Sequence, residues 1–113
     1  MITIKDTSRE FTKVEQYLMT LNDDVVSCKD IPDGTEIEID GFLSYTDEKD
    51  DGKSVDVFAM IATDGKCYAC TSATFERKVR EIADIFSGER FTIIKKSGVT
   101  KSGKDYITAS LKY

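Results

Sequence analysis

Apolar residues recur along this chain with two different periods, and these periods separate predicted helices from predicted strands. Near the N-terminus the apolar side chains lie three or four residues apart, which is the spacing of one helix face. Thr7 and Glu10 have the separation of a capping box, in which a hydroxyl and a carboxylate accept hydrogen bonds from free backbone amides. A helix is therefore predicted over residues 8–21, after a short strand at Ile2 and Ile4. Its apolar face contains Phe11, Val14, Leu18 and Leu21.

Alternation of apolar and polar residues predicts the first long strand of a sheet, at residues 36–45. Ile37 and Ile39 share one face of this strand, because successive side chains of a strand point to opposite faces. Gly41 interrupts the alternation, which indicates a bulge or a sharp bend. Residues 31–34, before the strand, contain a proline and a glycine in a turn pattern. Four further strands are predicted at residues 54–62, 66–70, 90–96 and 105–111.

A second helix is predicted between the third and the fourth of these strands. Thr71 or Ser72 supplies its N-terminal cap, and Gly88 occupies a position at which glycine commonly ends a helix. The apolar side of this helix contains Phe75, Val79, Ile82, Ala83 and Phe86.

Five strands with a helix between the third and the fourth have the order of the oligonucleotide/oligosaccharide-binding (OB) fold, a five-stranded Greek-key β-barrel. A glycine bend in the first strand fits this fold, because that strand serves both halves of the barrel. A length of 113 residues suits one domain. We expect an extra N-terminal helix and connector over residues 1–30 and the barrel over residues 35–113. An α+β sandwich with the same order of elements is the alternative.

Charge is unevenly distributed along the chain. The formal net charge is −5, yet residues 90–113 carry six basic side chains and one acidic side chain. A basic hairpin in an acidic protein indicates contact with an anion, and loops of this kind follow the backbone of a nucleic acid in OB folds. The lysines of the hairpin loop are Lys95, Lys96, Lys101 and Lys104, and Lys49 and Lys53 are expected to close the groove from the loop between the first two strands.

Three aromatic side chains are predicted to form a stacking surface for bases. If Val57 and Ala59 face the core, Phe58 faces outward on the second strand, because neighbouring side chains alternate. Tyr68 is expected to join it across the next turn, and Tyr106 is expected to face outward on the last strand. Proteins that bind single strands combine such aromatic residues with lysines along the backbone track. The simpler alternative is that Phe58 packs beneath the N-terminal helix and that the lysines are merely solvated.

Catalysis and metal binding have little support in the sequence. The chain contains no histidine, the usual proton shuttle at neutral pH and the commonest metal ligand. Cys67 and Cys70 form a Cys-x-x-Cys pair, but on a strand the two side chains point to opposite faces. We therefore expect a non-enzymatic protein with no cofactor and no metal. The odd number of cysteines predicts reduced thiols in the cytoplasm, and no apolar run is long enough to span a membrane.

The acidic residues leave a second class of function open. Carboxylates are concentrated in the loop that contains Asp47, Glu48, Asp50 and Asp51. Rows of carboxylates can imitate the phosphates of DNA and occupy the nucleic-acid site of another protein. The alternative prediction is therefore a protein–protein interaction module or a DNA-mimic inhibitor that uses this acidic face.

Three short motifs resemble those of a known family. They are Asp-Gly-Lys-x-Tyr at residues 64–68, Ser-Ala-Thr-Phe at residues 72–75, and Lys-Ser-Gly-x-x-Lys-Ser-Gly-Lys-Asp-Tyr-Ile-Thr at residues 96–108. With them, residues 31–113 resemble phage-type single-stranded DNA-binding proteins, small OB-fold proteins of phages of Gram-positive bacteria and related host-encoded copies. The resemblance implies binding of single-stranded DNA without strong sequence preference during replication or recombination. Replication or recombination proteins are the further partners it suggests, and it leaves a homo-oligomer open.

Overall fold

The computed structural model describes residues 1–113 and contains seven β-strands and two α-helices. Neither helix combines the length and the apolar character that are needed to cross a membrane. In chain order the elements are β1 (Ile2–Thr7), α1 (Lys13–Thr20), β2 (Val26–Ser27), a 3-10 helix (Cys28–Asp30), β3 (Glu36–Glu48), β4 (Ser54–Ala62), β5 (Cys67–Cys70), α2 (Ala73–Phe86), β6 (Phe91–Val99) and β7 (Asp105–Leu111).

All seven strands belong to one curled sheet with the order β2-β5-β4-β3-β6-β7, and β1 pairs with β3 outside this path. The prediction of a mainly β protein with helices is confirmed. The structure has the short strand predicted at Ile2 and Ile4, here β1, and the five later strands, but the short strand β2 was not predicted. Short β2 pairs in parallel with β5, and no strand pairing joins β7 to β5 or β2. The sheet therefore forms a half-barrel that is open between its two edges.

A bulge in β3 allows this one strand to pair with three others. One edge of β3 pairs with β4, and the register shifts between Ile39 and Gly41. The opposite edge pairs first with β6, through residues 36–39, and then with β1, through residues 43–47. The irregularity predicted at Gly41 is confirmed, and it lies where β3 passes from β6 to β1.

Gly41 lacks a side chain because the ring of Phe11 occupies the space above it. A Cβ atom at this position would lie 2.7 Å from Cζ of Phe11. The Arg9 guanidinium lies 4.3 Å from the centroid of the same ring and forms ion pairs with Asp40 at 3.0 Å and with Glu15 at 2.8 Å. The chain between β1 and α1 is thus held over the bulge by packing, a cation–π contact and charge.

The first helix begins later than the sequence predicts. Helix α1 starts at Lys13, and its capping box is formed by Thr12 and Glu15 rather than by Thr7 and Glu10. Both residue pairs have the required spacing, but the pairing of β1 with β3 continues past Thr7, because the Ser8 amide donates a hydrogen bond to the Phe42 carbonyl oxygen at 2.8 Å. The Arg9 guanidinium and the Thr12 amide together lower the pKa of Glu15 to about 2.

The sheet has an apolar core on each face. Helix α2 covers one core, which includes Phe42, Phe58, Met60 and Phe75, whereas α1 and β1 cover the other core. The second half of β4 is therefore buried on both faces. The prediction that Phe58 faces outward is wrong, because Phe58 is 1% exposed. The simpler alternative placed Phe58 under the N-terminal helix, but it packs in the core beneath α2.

We predict that Gly41→Ala lowers the free energy of unfolding by about 1–3 kcal/mol, the usual cost of overpacking a filled site. Gly41 does not have a left-handed φ angle, so alanine meets no backbone strain there and the loss would come from displacing Phe11. Urea unfolding followed by circular dichroism measures the change. The double variant Gly41→Ala/Phe11→Leu serves as the matched control, and we expect it to lose less than the sum of its two single variants. Unchanged stability of Gly41→Ala would contradict the account.

Candidate nucleic-acid interface

An open groove of about 910 Å³ lies between the β6–β7 hairpin and the β2–β5 edge of the half-barrel. One wall comes from β6 and β7, and the facing wall comes from β5, the start of α2 and the 3-10 helix. The absence of a strand pairing between β5 and β7 creates this space. The groove is lined by Ser27, Lys29, Asp30, Val57, Ser72, Lys95 and residues 69–71, 97–99 and 105–107.

Tyr106 is the aromatic side chain of this groove. It is paired with Gly98 across the two strands of the hairpin. A Cβ atom at Gly98 would lie 2.6 Å from the Tyr106 hydroxyl oxygen and 2.7 Å from Cζ, so the ring rests directly on the glycine backbone. Tyr106 is nevertheless 40% exposed. The glycine therefore gives the ring a flat support while much of the side chain stays accessible.

The other two predicted aromatic residues do not line the groove. Phe58 belongs to the core beneath α2 and cannot stack on a base. Tyr68 lies opposite Met60 on the neighbouring strand and packs partly buried against the same core, and this burial raises the pKa of its hydroxyl. The structure thus brings only Tyr106, of the three, to the groove.

Lys95 lines the groove but is not a free lysine. Its side chain is 5% exposed, and its Nζ atom lies 2.9 Å from Oδ1 of Asp33. The Ser97 hydroxyl donates a hydrogen bond to Oδ2 of the same carboxylate at 2.5 Å. These two contacts hold the pKa of Asp33 below its usual value. Lys95 was predicted to lie in the hairpin loop, but it belongs to β6 and is buried in an ion pair with a carboxylate distant in sequence.

The remaining predicted lysines are exposed. Lys96, Lys101 and Lys104 lie on the β6–β7 hairpin, and none of them forms an ion pair. Lys53 is exposed in the loop between β3 and β4. None of these four lysines lines the groove itself, but the first three belong to the same hairpin as Tyr106. Lys29 does line the groove, and sequence reasoning missed it. It lies in the 3-10 helix, within a segment that has no periodic pattern to reveal its orientation.

A second, smaller groove of about 430 Å³ contains Arg9, Arg80 and Arg90. All three guanidinium groups are already paired: Arg9 and Arg90 with Asp40, and Arg80 with Asp6 at 2.8 Å. Arg80 also lies over the Phe42 ring, with Cζ 5.2 Å from the centroid. These arginines therefore join β1, β3 and α2, whereas Lys29 is an unpaired basic side chain that lines the first groove.

Cys67 and Cys70 lie in the two different cores, so the prediction that they point to opposite faces of β5 is confirmed. All three cysteines are buried free thiols. No three potential metal-binding side chains come together anywhere in the chain.

Comparison with known proteins identifies the family of the chain. No curated protein and no solved structure matches the chain. The family model described as phage single-stranded DNA-binding protein matches residues 3–112, which include both walls of the groove. The match covers almost the whole chain and confirms the resemblance found in the three sequence motifs. The chain belongs to the family of phage single-stranded DNA-binding proteins.

Proposed function

We propose that the protein binds single-stranded DNA, without strong sequence preference, in the groove between the β6–β7 hairpin and the β2–β5 edge. The observation that carries the proposal is the combination of an exposed tyrosine and unpaired lysines on one hairpin at the open side of the sheet. In OB folds the loop between the last two strands is one of the two ligand loops, and the β6–β7 loop has that place here. We therefore treat the half-barrel as an OB-like barrel with one open side.

The base contact in this proposal is stacking on Tyr106. Every base has a π face, so stacking tolerates any sequence, as a protein that coats single strands requires. The Gly98 backbone beneath the ring fixes its plane before DNA arrives. A base would therefore meet a ring that loses little further freedom on binding.

The phosphate contacts come from the hairpin. Lys96, Lys101 and Lys104 have no carboxylate within ion-pair distance, whereas the arginines of the second groove are all paired. Three unpaired positive charges therefore lie on the hairpin that carries Tyr106, although the whole chain has a net charge of −5. The remaining acidic surface would repel DNA and so confine the strand to this side of the molecule.

In this proposal the protein acts by binding and not by catalysis. A chain without histidine lacks the usual acid–base catalyst, and covering of exposed single strands suits a role in phage-type DNA replication or recombination. Proteins of those processes are its expected further partners.

Salt titration tests the phosphate contacts. The affinity for a fluorescent oligo-dT, measured by anisotropy, is expected to fall linearly on a log–log plot of binding constant against salt. Changing Lys96, Lys101 and Lys104 together to Gln should reduce the slope by about 2, since each phosphate contact with a single strand contributes roughly 0.7.

A matched control changes the same amount of charge elsewhere. Lys13, Lys66 and Lys78 lie outside the groove and outside the β6–β7 hairpin, and their triple Gln variant should keep nearly the wild-type slope. Equal loss of slope in both triple variants would mean that net charge, and not the hairpin, determines binding.

Replacement of Tyr106 tests the stacking contact. Tyr106→Ala should weaken oligo-dT binding by about 1–3 kcal/mol at constant salt, whereas Tyr106→Phe should retain most of the affinity because the ring remains. Tyr17→Ala, which removes an exposed tyrosine from α1, is the control and should bind like the wild type. If Tyr106→Ala binds as tightly as Tyr17→Ala, bases do not stack on this ring.

A further inference from the structure

We propose that Asp33 limits the affinity of the groove for single-stranded DNA by holding Lys95 away from the phosphates. This inference rests on the proposed function and assigns a positioning residue to the same site. Asp33 itself does not line the groove, and its effect is exerted through Lys95, which does.

The backbone places Asp33 against β6. The Gly34 amide donates a hydrogen bond to the Lys95 carbonyl oxygen at 2.8 Å, and the Lys95 amide donates to the Thr35 carbonyl oxygen at 3.0 Å. Gly34 has a φ of +88°, a left-handed angle that glycine adopts without strain. The turn before β3 is therefore fastened to β6, and its carboxylate reaches both Lys95 and Ser97.

The two members of this ion pair differ in their exposure. The Asp33 side chain is 56% exposed, whereas the Lys95 side chain is 5% exposed. Lys95 is the only charged residue in the chain that is buried. Its ammonium group is neutralised by a carboxylate at 2.9 Å, so in this arrangement it adds almost no net attraction for a phosphate.

Loss of the carboxylate charge would change the position of Lys95. A buried ammonium group without a partner is strongly unfavourable, and a lysine side chain is long and flexible enough to carry the charge into water. From β6 the nearest open space is the groove, which Lys95 already lines. A DNA phosphate would therefore compete with Asp33 for this ammonium group, and the wild-type protein binds more weakly than its lysines alone would allow.

A double-mutant cycle tests this coupling. The four proteins are the wild type, Asp33→Asn, Lys95→Met and the double variant, and each is titrated with fluorescent oligo-dT over a range of salt. Methionine keeps the apolar stem of Lys95 in the core and removes its charge. We expect Asp33→Asn to bind oligo-dT roughly two- to fivefold more tightly, which corresponds to the energy of one ion pair with an exposed member. Its salt slope should be steeper by about 0.7, because one more lysine contacts a phosphate. In the Lys95→Met background, Asp33→Asn should raise the affinity no more than a control that makes the same change of net charge elsewhere.

The control is Asp23→Asn, which makes the same change of net charge at an exposed position without an ion pair, outside the groove. The inference would be overturned if Asp33→Asn raised the affinity for oligo-dT no more than Asp23→Asn does. It would also be overturned if the rise were the same with and without Lys95. The proposed function would stand in both cases. Failure of the wild type to bind oligo-dT at low salt would instead overturn the proposed function.

Ser97→Ala provides a second, milder variant should Asp33→Asn fold poorly. It removes only the hydroxyl that holds the Asp33 carboxylate and leaves the charge of the protein unchanged. The inference predicts a smaller gain in affinity that again depends on Lys95. No gain in this variant would count against the inference as directly as no gain in Asp33→Asn.

Discussion

The close packing of Phe11 on Gly41 is the constraint from which the rest of the architecture follows. The bulge beneath this contact separates the part of β3 that pairs with β6 from the part that pairs with β1. The same contact directs the chain into α1, which covers one face of the sheet, while α2 covers the other. A side chain at position 41 would force Phe11 out and disturb both the bend of β3 and the cover of one core.

Burial of both sheet faces determines where a ligand can bind. A sheet with one exposed face could present a row of aromatic residues to bases, as the alternation of apolar and polar residues predicted. Here β4 contributes Phe58 to one core and Ala59 to the other, so no such face exists. The open side of the half-barrel remains, where Tyr106 lies on Gly98 beside the lysines of the β6–β7 hairpin.

Local patterns predicted the elements better than they predicted exposure. The limits of β4, the Ser72 cap of α2 and the irregularity at Gly41 depend on neighbouring residues, and all three agree with the structure. The start of α1 was wrong because pairing of β1 with β3 outweighs the first of two capping boxes. The burial of Lys95 depends on Asp33, 62 residues earlier, which no local pattern reveals.

Amide chemical-shift mapping tests the central claim most directly, that single-stranded DNA occupies the groove beside the β6–β7 hairpin. A ¹⁵N-labelled sample titrated with unlabelled oligo-dT should show its largest shifts at residues 29–30, 69–72, 97–99 and 105–107, which belong to the two walls. Residues 6–9 and 87–90, at the second groove, should change little. Shifts concentrated at the second groove, or in the acidic loop over residues 47–51, would contradict the account.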